Sequence, residues 1–233
     1  MVSPSVALQE WVGRFVFRSA SVRRAELLGP RFRRIVLGGS ELRDVRWAPG
    51  DKLQLFLPGV GTRTYTPVRW DTAAGETELL AFLHGEGPGA RWAGGVEPGA
   101  AIRCFGPRGS LAVGGPAPAI VVGDETSLGL AVANGAAALA ILEATDPAAV
   151  EPALDALGFR GVRLIHRRVD EGHLPVLADA VQEALRSRPG ARLVLSGRAA
   201  AIQGVRRALR ERGVALAGVR AKAYWAPGKR GLD

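Results

Sequence analysis

The sequence predicts a two-domain β + α/β fold. An N-terminal six-stranded antiparallel β-barrel fills residues 1–115, and a parallel-sheet α/β domain fills 116–233. Three observations carry that prediction. Six short strand-like stretches crowd the first half, separated by Gly, Pro and Asp turn residues. Gly114-Gly115-Pro116 then punctuates the chain as a linker. Beyond it, short apolar runs alternate with amphipathic helical segments, which is the pattern of a parallel sheet flanked by helices.

Taken in order, Leu8, Trp11, Val12 and Phe15 fall at helical spacing and predict a short packing helix. The strand candidates of the first domain are 17–28, 32–37, 52–57, 62–70, 78–84 and 101–105. Lys52-Leu53-Gln54-Leu55 alternates polar and apolar, as a strand with one face on a core should. Six such strands in about a hundred residues predict a small closed barrel. In the second domain, 119–122, 138–142, 162–165 and 193–195 read as buried strands, while 174–185 and 202–209 carry apolar residues at helical spacing. There are no sequence repeats.

Composition narrows the class. The chain has 233 residues and a formal net charge of +9. Lys occurs only at 52, 222 and 229, so the basicity is almost all Arg, scattered along the chain rather than gathered on one element. That scatter argues against a nucleic-acid interface and for steering of anionic ligands. The single cysteine, Cys104, excludes an internal disulfide and a Cys-rich metal site. No apolar run approaches the ~20 residues of a membrane span, and the first fifteen residues lack the basic and apolar regions of a signal peptide. A cytoplasmic protein without membrane insertion is the expectation.

Chemistry concentrates in Arg63-Thr64-Tyr65-Thr66-Pro67-Val68-Arg69-Trp70-Asp71. In an extended segment Arg63 and Tyr65 face the same side. A guanidinium fork suits phosphate oxygens, a phenol ring can stack on a second ring, and the Thr66 hydroxyl could bond a ring nitrogen. A flavin dinucleotide is a ligand of that kind. The competing reading of the nonapeptide alone is an ordinary half-buried strand with an exposed Arg. Two further loops are candidates. His84-Gly85-Glu86-Gly87-Pro88-Gly89-Ala90-Arg91-Trp92 leaves a strand and opens a helix, where glycines let backbone N–H groups approach an anion. His84 taken alone reads as a hydrogen-bonded structural residue. Gly123-Asp124-Glu125-Thr126 leaves the first strand of the second domain, at the end where open α/β sheets bind ligands. Helix capping is the competing reading of Asp124 and Thr126.

These segments together, RTYTPVRWD, HGEGPGARWA, GPRGS, GDET and Tyr224-Trp225-Ala226-Pro227-Gly228, resemble in order the siderophore-interacting protein family, a branch of the ferredoxin–NADP reductase superfamily. The resemblance runs over about residues 17–231. It implies an FAD-binding barrel joined to an NAD(P)H-binding α/β domain, and reduction of siderophore-held ferric iron with NADPH or NADH as donor. A ferredoxin is the alternative donor. Carried over, Arg63 would bind the FAD diphosphate, Tyr65 would stack on the isoalloxazine, and Thr66 would bond near its N5 edge. His84, Gly85, Gly87 and Pro88 would line the diphosphate, with Trp92 behind them. Asp124, Glu125 and Thr126 would sit where nicotinamide meets flavin, and Trp225 would cover the flavin or adenine. Lys222, Lys229 and Arg230 would attract an anionic ferric siderophore. The chemistry is centred on the flavin, so no catalytic side chain and no metal ligand are expected.

Some positions depart from the family pattern. Val68 stands where an Arg is common, Ala90 replaces a Ser, and Ser196-Gly197-Arg198 puts a base where an acid is usual. Residues 128–134 allow only about two helical turns after GDET. Arg167 and Arg168, at another strand end, could meet a 2′-phosphate. The departures fall mostly on the nicotinamide side. They keep open a related reductase with another acceptor, and a binding protein without productive NAD(P)H use.

Overall fold

The computed structural model describes residues 17–57, 59–111 and 117–228. The N-terminal helix expected before residue 16, the linker at 114–116, Lys229 and Arg230 lie outside the described residues. Among the described residues, no helix is long and apolar enough to cross a membrane.

The first half forms seven antiparallel strands rather than the expected six: β1 (Arg18–Leu28), β2 (Phe32–Gly38), β3 (Lys52–Leu57), β4 (Gly61–Tyr65), β5 (Pro67–Asp71), β6 (Glu76–Phe82) and β7 (Ala101–Arg108). The extra strand comes from the stretch expected to be continuous over 62–70, which breaks at Thr66. Pro67 offers no N–H to a ladder and restricts the residue before it, so the chain turns there.

That break lies at the seam of a curled sheet. The ladder order is β4-β3-β7-β1-β2-β6-β5, so β4 and β5 are the two edges of the sheet. Six spacings of ~4.8 Å would hold flat edges about 29 Å apart. Yet Thr66 alone joins β4 to β5. The sheet must therefore curl until its edges meet at Thr66. Ile35, Leu37, Leu53, Leu55, Leu57 and Leu79 fill the interior, each fully buried.

One helix, α1 (Pro88–Gly95), packs against the barrel. Pro88 at its first position fits the fixed proline φ. Buried Arg33 of β2 reaches its other end, donating to the carbonyls of Gly94 and, at 2.7 Å, Val96. A cation at the C-terminal carbonyls satisfies orphan acceptors and fixes the direction of the helix.

The second half is a five-stranded parallel sheet of β8 (Ala119–Asp124), β9 (Leu139–Ala144), β10 (Val162–His166), β11 (Arg192–Arg198) and β12 (Arg220–Trp225), ordered β10-β9-β8-β11-β12. Its helices are α2 (Leu128–Ala133), α3 (Glu151–Leu157), α4 (Leu174–Ser187) and α5 (Ala199–Glu211). Helix α2 is as short as residues 128–134 predicted. Ile120 and Val122 of β8 pack with Leu177, Val181, Ile202 and Val205 of α4 and α5. Val121 faces the other way, into a core of Leu128, Leu130 and Leu154 that also takes in Leu28 and Phe32 of the barrel. The two sheets thus share a core.

Strand order reverses between β8 and β11. Ligands of open α/β sheets bind at the carboxyl ends beside such a switch point. Here those ends carry Asp124 and Arg198.

Candidate functional site

Register places the first motif. Leu55 pairs with Arg63 and Leu53 with Tyr65, so both motif side chains share the face of the buried leucines. At the sheet edge this face meets α1. The Tyr65 ring lies 6.2 Å from that of Trp92, tilted by 51°. Arg63 lies along the first turn of α1: a Cβ added to Gly89 would come within 3.1 Å of its Nε. Its guanidinium donates to the carbonyls of Thr62 at 2.8 Å and Val60 at 3.3 Å. Burial pushes the Tyr65 phenol up to about 12, against the opposing charge of Arg63.

The glycine loop completes a cradle. Gly85 has φ 58°, a left-handed conformation in which a side chain is strained, and a Cβ on Gly85 or Gly87 would meet nothing within 4 Å. Gly87 is the N-cap of α1 and no side chain caps the helix, so its first N–H groups are open to a ligand. A guanidinium and an uncapped helix N-terminus on one open cleft suit a diphosphate. These residues fit the FAD expected from the sequence. His84, just past β6, stacks on Phe82 at 5.8 Å. Burial holds its pKa below the ordinary value; nearby Glu125 opposes that and Arg31 adds to it.

Thr66 faces the second sheet, its Oγ1 lying 3.4 Å from the Tyr224 hydroxyl. Burial pushes that phenol up to about 12, while hydrogen bonds with Thr66 and Ser196 pull it down. The Ser196 hydroxyl in turn donates to Ser127 Oγ at 2.8 Å. Tyr224 was part of the quoted C-terminal motif but was not singled out. Its role depends on a partner 158 positions away, which no local pattern displays.

Asp124 is fully buried and accepts from the Thr126 N–H at 2.9 Å, from the Thr126 hydroxyl, and from Trp225 Nε1 at 2.6 Å. It therefore caps the short 3-10 turn Glu125–Ser127 that leads into α2, as the competing reading anticipated, and it also anchors Trp225. Gly197, at φ 86°, makes the room: a Cβ there would fall 2.7 Å from the Asp124 carboxylate. Glu125 is buried and paired. Its carboxylate accepts from Arg167 at 3.0 and 3.2 Å and from the Thr145 N–H at 2.8 Å. Lys222 sits half-buried on β12, opposite Ser196.

Arg198, the base where an acid was usual, is neutralised by an acid elsewhere. Fully buried Glu143 accepts from Arg198 Nε at 2.6 Å and bonds His173 Nε2 at 2.6 Å, and Glu171 takes the other side of the guanidinium. The sequence did hold one signal: Glu143 is the lone charge in the apolar strand LAILEA.

A curled barrel with an anion cradle at its seam, sharing a core with a parallel sheet whose switch point faces that seam, is a ferredoxin reductase-like two-domain fold with a site shaped for a flavin. Residues 59–111 match the siderophore-interacting FAD-binding domain, and residues 117–228 match the siderophore-interacting protein model. A siderophore utilization protein from T. fusca superposes with a TM-score of 0.72 at 28% identity, over 93% of this chain and 95% of its own. The siderophore-interacting protein SipS from Aeromonas hydrophila does so with a TM-score of 0.72 at 25% identity, over 92% and 93%. An NADPH-dependent ferric-chelate reductase of Escherichia coli (strain K12) is 33% identical over 42% of this chain, so the match spans about half of that relative, 47% of its length. The chain belongs to the siderophore-interacting protein family.

Proposed function

We propose that this chain is an FAD-dependent NAD(P)H oxidoreductase that reduces the Fe(III) of a ferric siderophore in the cytoplasm. The observation that carries the reading is the meeting of Arg63 with the uncapped first turn of α1, next to Tyr65 and Thr66. FAD bound there would accept a hydride's two electrons from a nicotinamide and pass them on one at a time, as Fe(III) requires.

The chain's own residues bind and orient. Arg63 and the α1 amides neutralise the diphosphate, and His84, Gly85, Gly87 and Pro88 shape its loop. Tyr65, backed by Trp92, offers a stacking face, and Thr66 a hydroxyl. Asp124 holds Trp225 toward the cleft from the second sheet, with Glu125 and Thr126 beside it. Lys222, Lys229 and Arg230 draw in an anionic chelate. Hard siderophore oxygens hold Fe(II) weakly, so reduction alone releases the metal. The E. coli relative's name lends support for a nicotinamide donor and a ferric-chelate acceptor. We place the boundary between an FAD domain and an NAD(P)H domain at residues 115/116.

The test is the visible spectrum of FAD-loaded protein under anaerobic NADH or NADPH, followed by a ferric siderophore. Bleaching by a nicotinamide, reversed by the ferric siderophore, is expected. Bleaching that the ferric siderophore does not reverse, while another acceptor does, would favour the other-acceptor reading. A flavin unmoved by either nicotinamide but bleached by a reduced ferredoxin would change the donor. The six-residue α2 is the observation that favours a binding role without nicotinamide use, and a flavin inert to all donors would select it.

A further inference from the structure

The carboxyl ends of β9 and β10 form a corner in which every guanidinium is already answered by a carboxylate. In dinucleotide-binding sheets, an acid roughly twenty residues after the first glycine turn reads a ribose 2′-hydroxyl, and a nearby Arg admits a 2′-phosphate. Glu143 falls at that distance from Gly123, but it is enclosed by Arg198 and His173. The candidates for a 2′-phosphate are then Arg167 and Arg168, just past β10.

Both are already paired. Arg167 is held by buried Glu125 at 3.0 Å and lies 3.6 Å from Glu143. Arg168 is clamped by Asp170 through two bonds, Nε to Oδ1 at 3.0 Å and NH2 to Oδ2 at 2.8 Å. Asp170 is itself fixed by the Gly172 N–H at 3.0 Å. His173 adds no charge: its Nδ1 accepts the Arg168 N–H, leaving its one proton on Nε2 for Glu143. Four carboxylates, Glu125, Glu143, Asp170 and Glu171, thus face three guanidiniums, Arg167, Arg168 and Arg198.

Resting on the reductase reading, we infer that this corner rejects a 2′-phosphate, so that the donor is NADH rather than NADPH, with Asp170 as the specificity-determining residue. A phosphate would have to displace carboxylates from their guanidiniums and then face surplus negative charge. A 2′-hydroxyl breaks no pair and can donate to Asp170.

The experiment is calorimetric binding of NAD+ and NADP+ to the FAD-loaded protein, with AMP and 2′,5′-ADP as fragments, so that no turnover intervenes. NAD+ is expected to bind about tenfold more tightly than NADP+. Asp170→Asn, a change at an exposed side chain, keeps the shape and removes the negative charge facing Arg168. It should narrow that preference about fivefold, through tighter NADP+ and 2′,5′-ADP. Tighter NADP+ in the unmodified protein, or a ratio untouched by Asp170→Asn, overturns the inference and leaves the reductase reading standing. Failure of all four nucleotides to bind, with FAD retained, overturns it together with the nicotinamide half of that reading.

Discussion

Asp124 is a fully buried carboxylate in the switch-point crevice. Burial raises its pKa to about 6 from an ordinary 3.8, against the hydrogen bonds from Thr126 and Trp225 that favour its charge. A raised carboxylate pKa means that the folded chain binds the proton more tightly than the unfolded one. The stability this brings is complete below about 3.8 and is lost as pH rises through about 6. At neutral pH the charged form costs on the order of 3 kcal/mol. Asp124→Asn keeps an acceptor for Trp225 without the charge, so urea midpoints between pH 4 and 7 should lose this slope. A variant whose slope matches the parent's would show that Asp124 is not its source. Arg63→Ala removes charge-assisted bonds worth about 1.5–3 kcal/mol, so FAD affinity should fall roughly 10- to 100-fold by fluorescence titration. Arg63→Lys should recover only part, since an ammonium lacks the guanidinium fork.

Between elements, the charge network at the strand ends ties β9, β11 and the turn before α4 together. Arg198 meets both Glu143 and Glu171, and the two carboxylates raise its pKa further. Arg198→Met should cost about 3–5 kcal/mol in urea unfolding, because Glu143 would keep a buried charge without the guanidinium that pairs it. Adding Glu143→Gln should return part of that loss; a double variant no better than the single would mean that the buried charge is not the cause. This network also marks where the sequence stopped being legible. Most strands and the two long helices were readable because alternation and helical spacing are local, but β12 and the seven-residue α3 were not among the expected elements. The break at Thr66 was passed over, because a strand pattern runs on both sides of Pro67 in RTYTPVRW, although that proline is the local signal for it. Arg63 and Tyr65 could be placed on one face by counting in twos. Arg198 was visible only as a departure, since its partners lie 55 and 27 positions away.

At the scale of the whole molecule, the question is whether the two sheets fold as one unit. Leu28 and Phe32 belong to the barrel strands, yet they are buried among Leu128, Leu130 and Leu154 of the second half. Phe32 is fully buried, and its ring lies 5.1 Å from that of Phe82. Each sheet therefore lends apolar surface to the other, and separating them would expose both sides of that core. Unfolding should then be one transition, seen alike by far-ultraviolet dichroism and by tryptophan fluorescence, which samples Trp47, Trp70 and Trp92 on the barrel side and Trp225 on the other. Phe32→Ala should lower stability by about 3–5 kcal/mol and shift both signals together. Had the halves been independent, the same substitution would move the barrel signal and leave the Trp225 environment at its parental midpoint. A shared core has a functional consequence too. Thr66 and Tyr224 stand on opposite sheets with their hydroxyls 3.4 Å apart, over the core that both sheets fill. Two rings arriving from the two sheets would find their walls already set, which lowers the ordering cost of bringing them into contact.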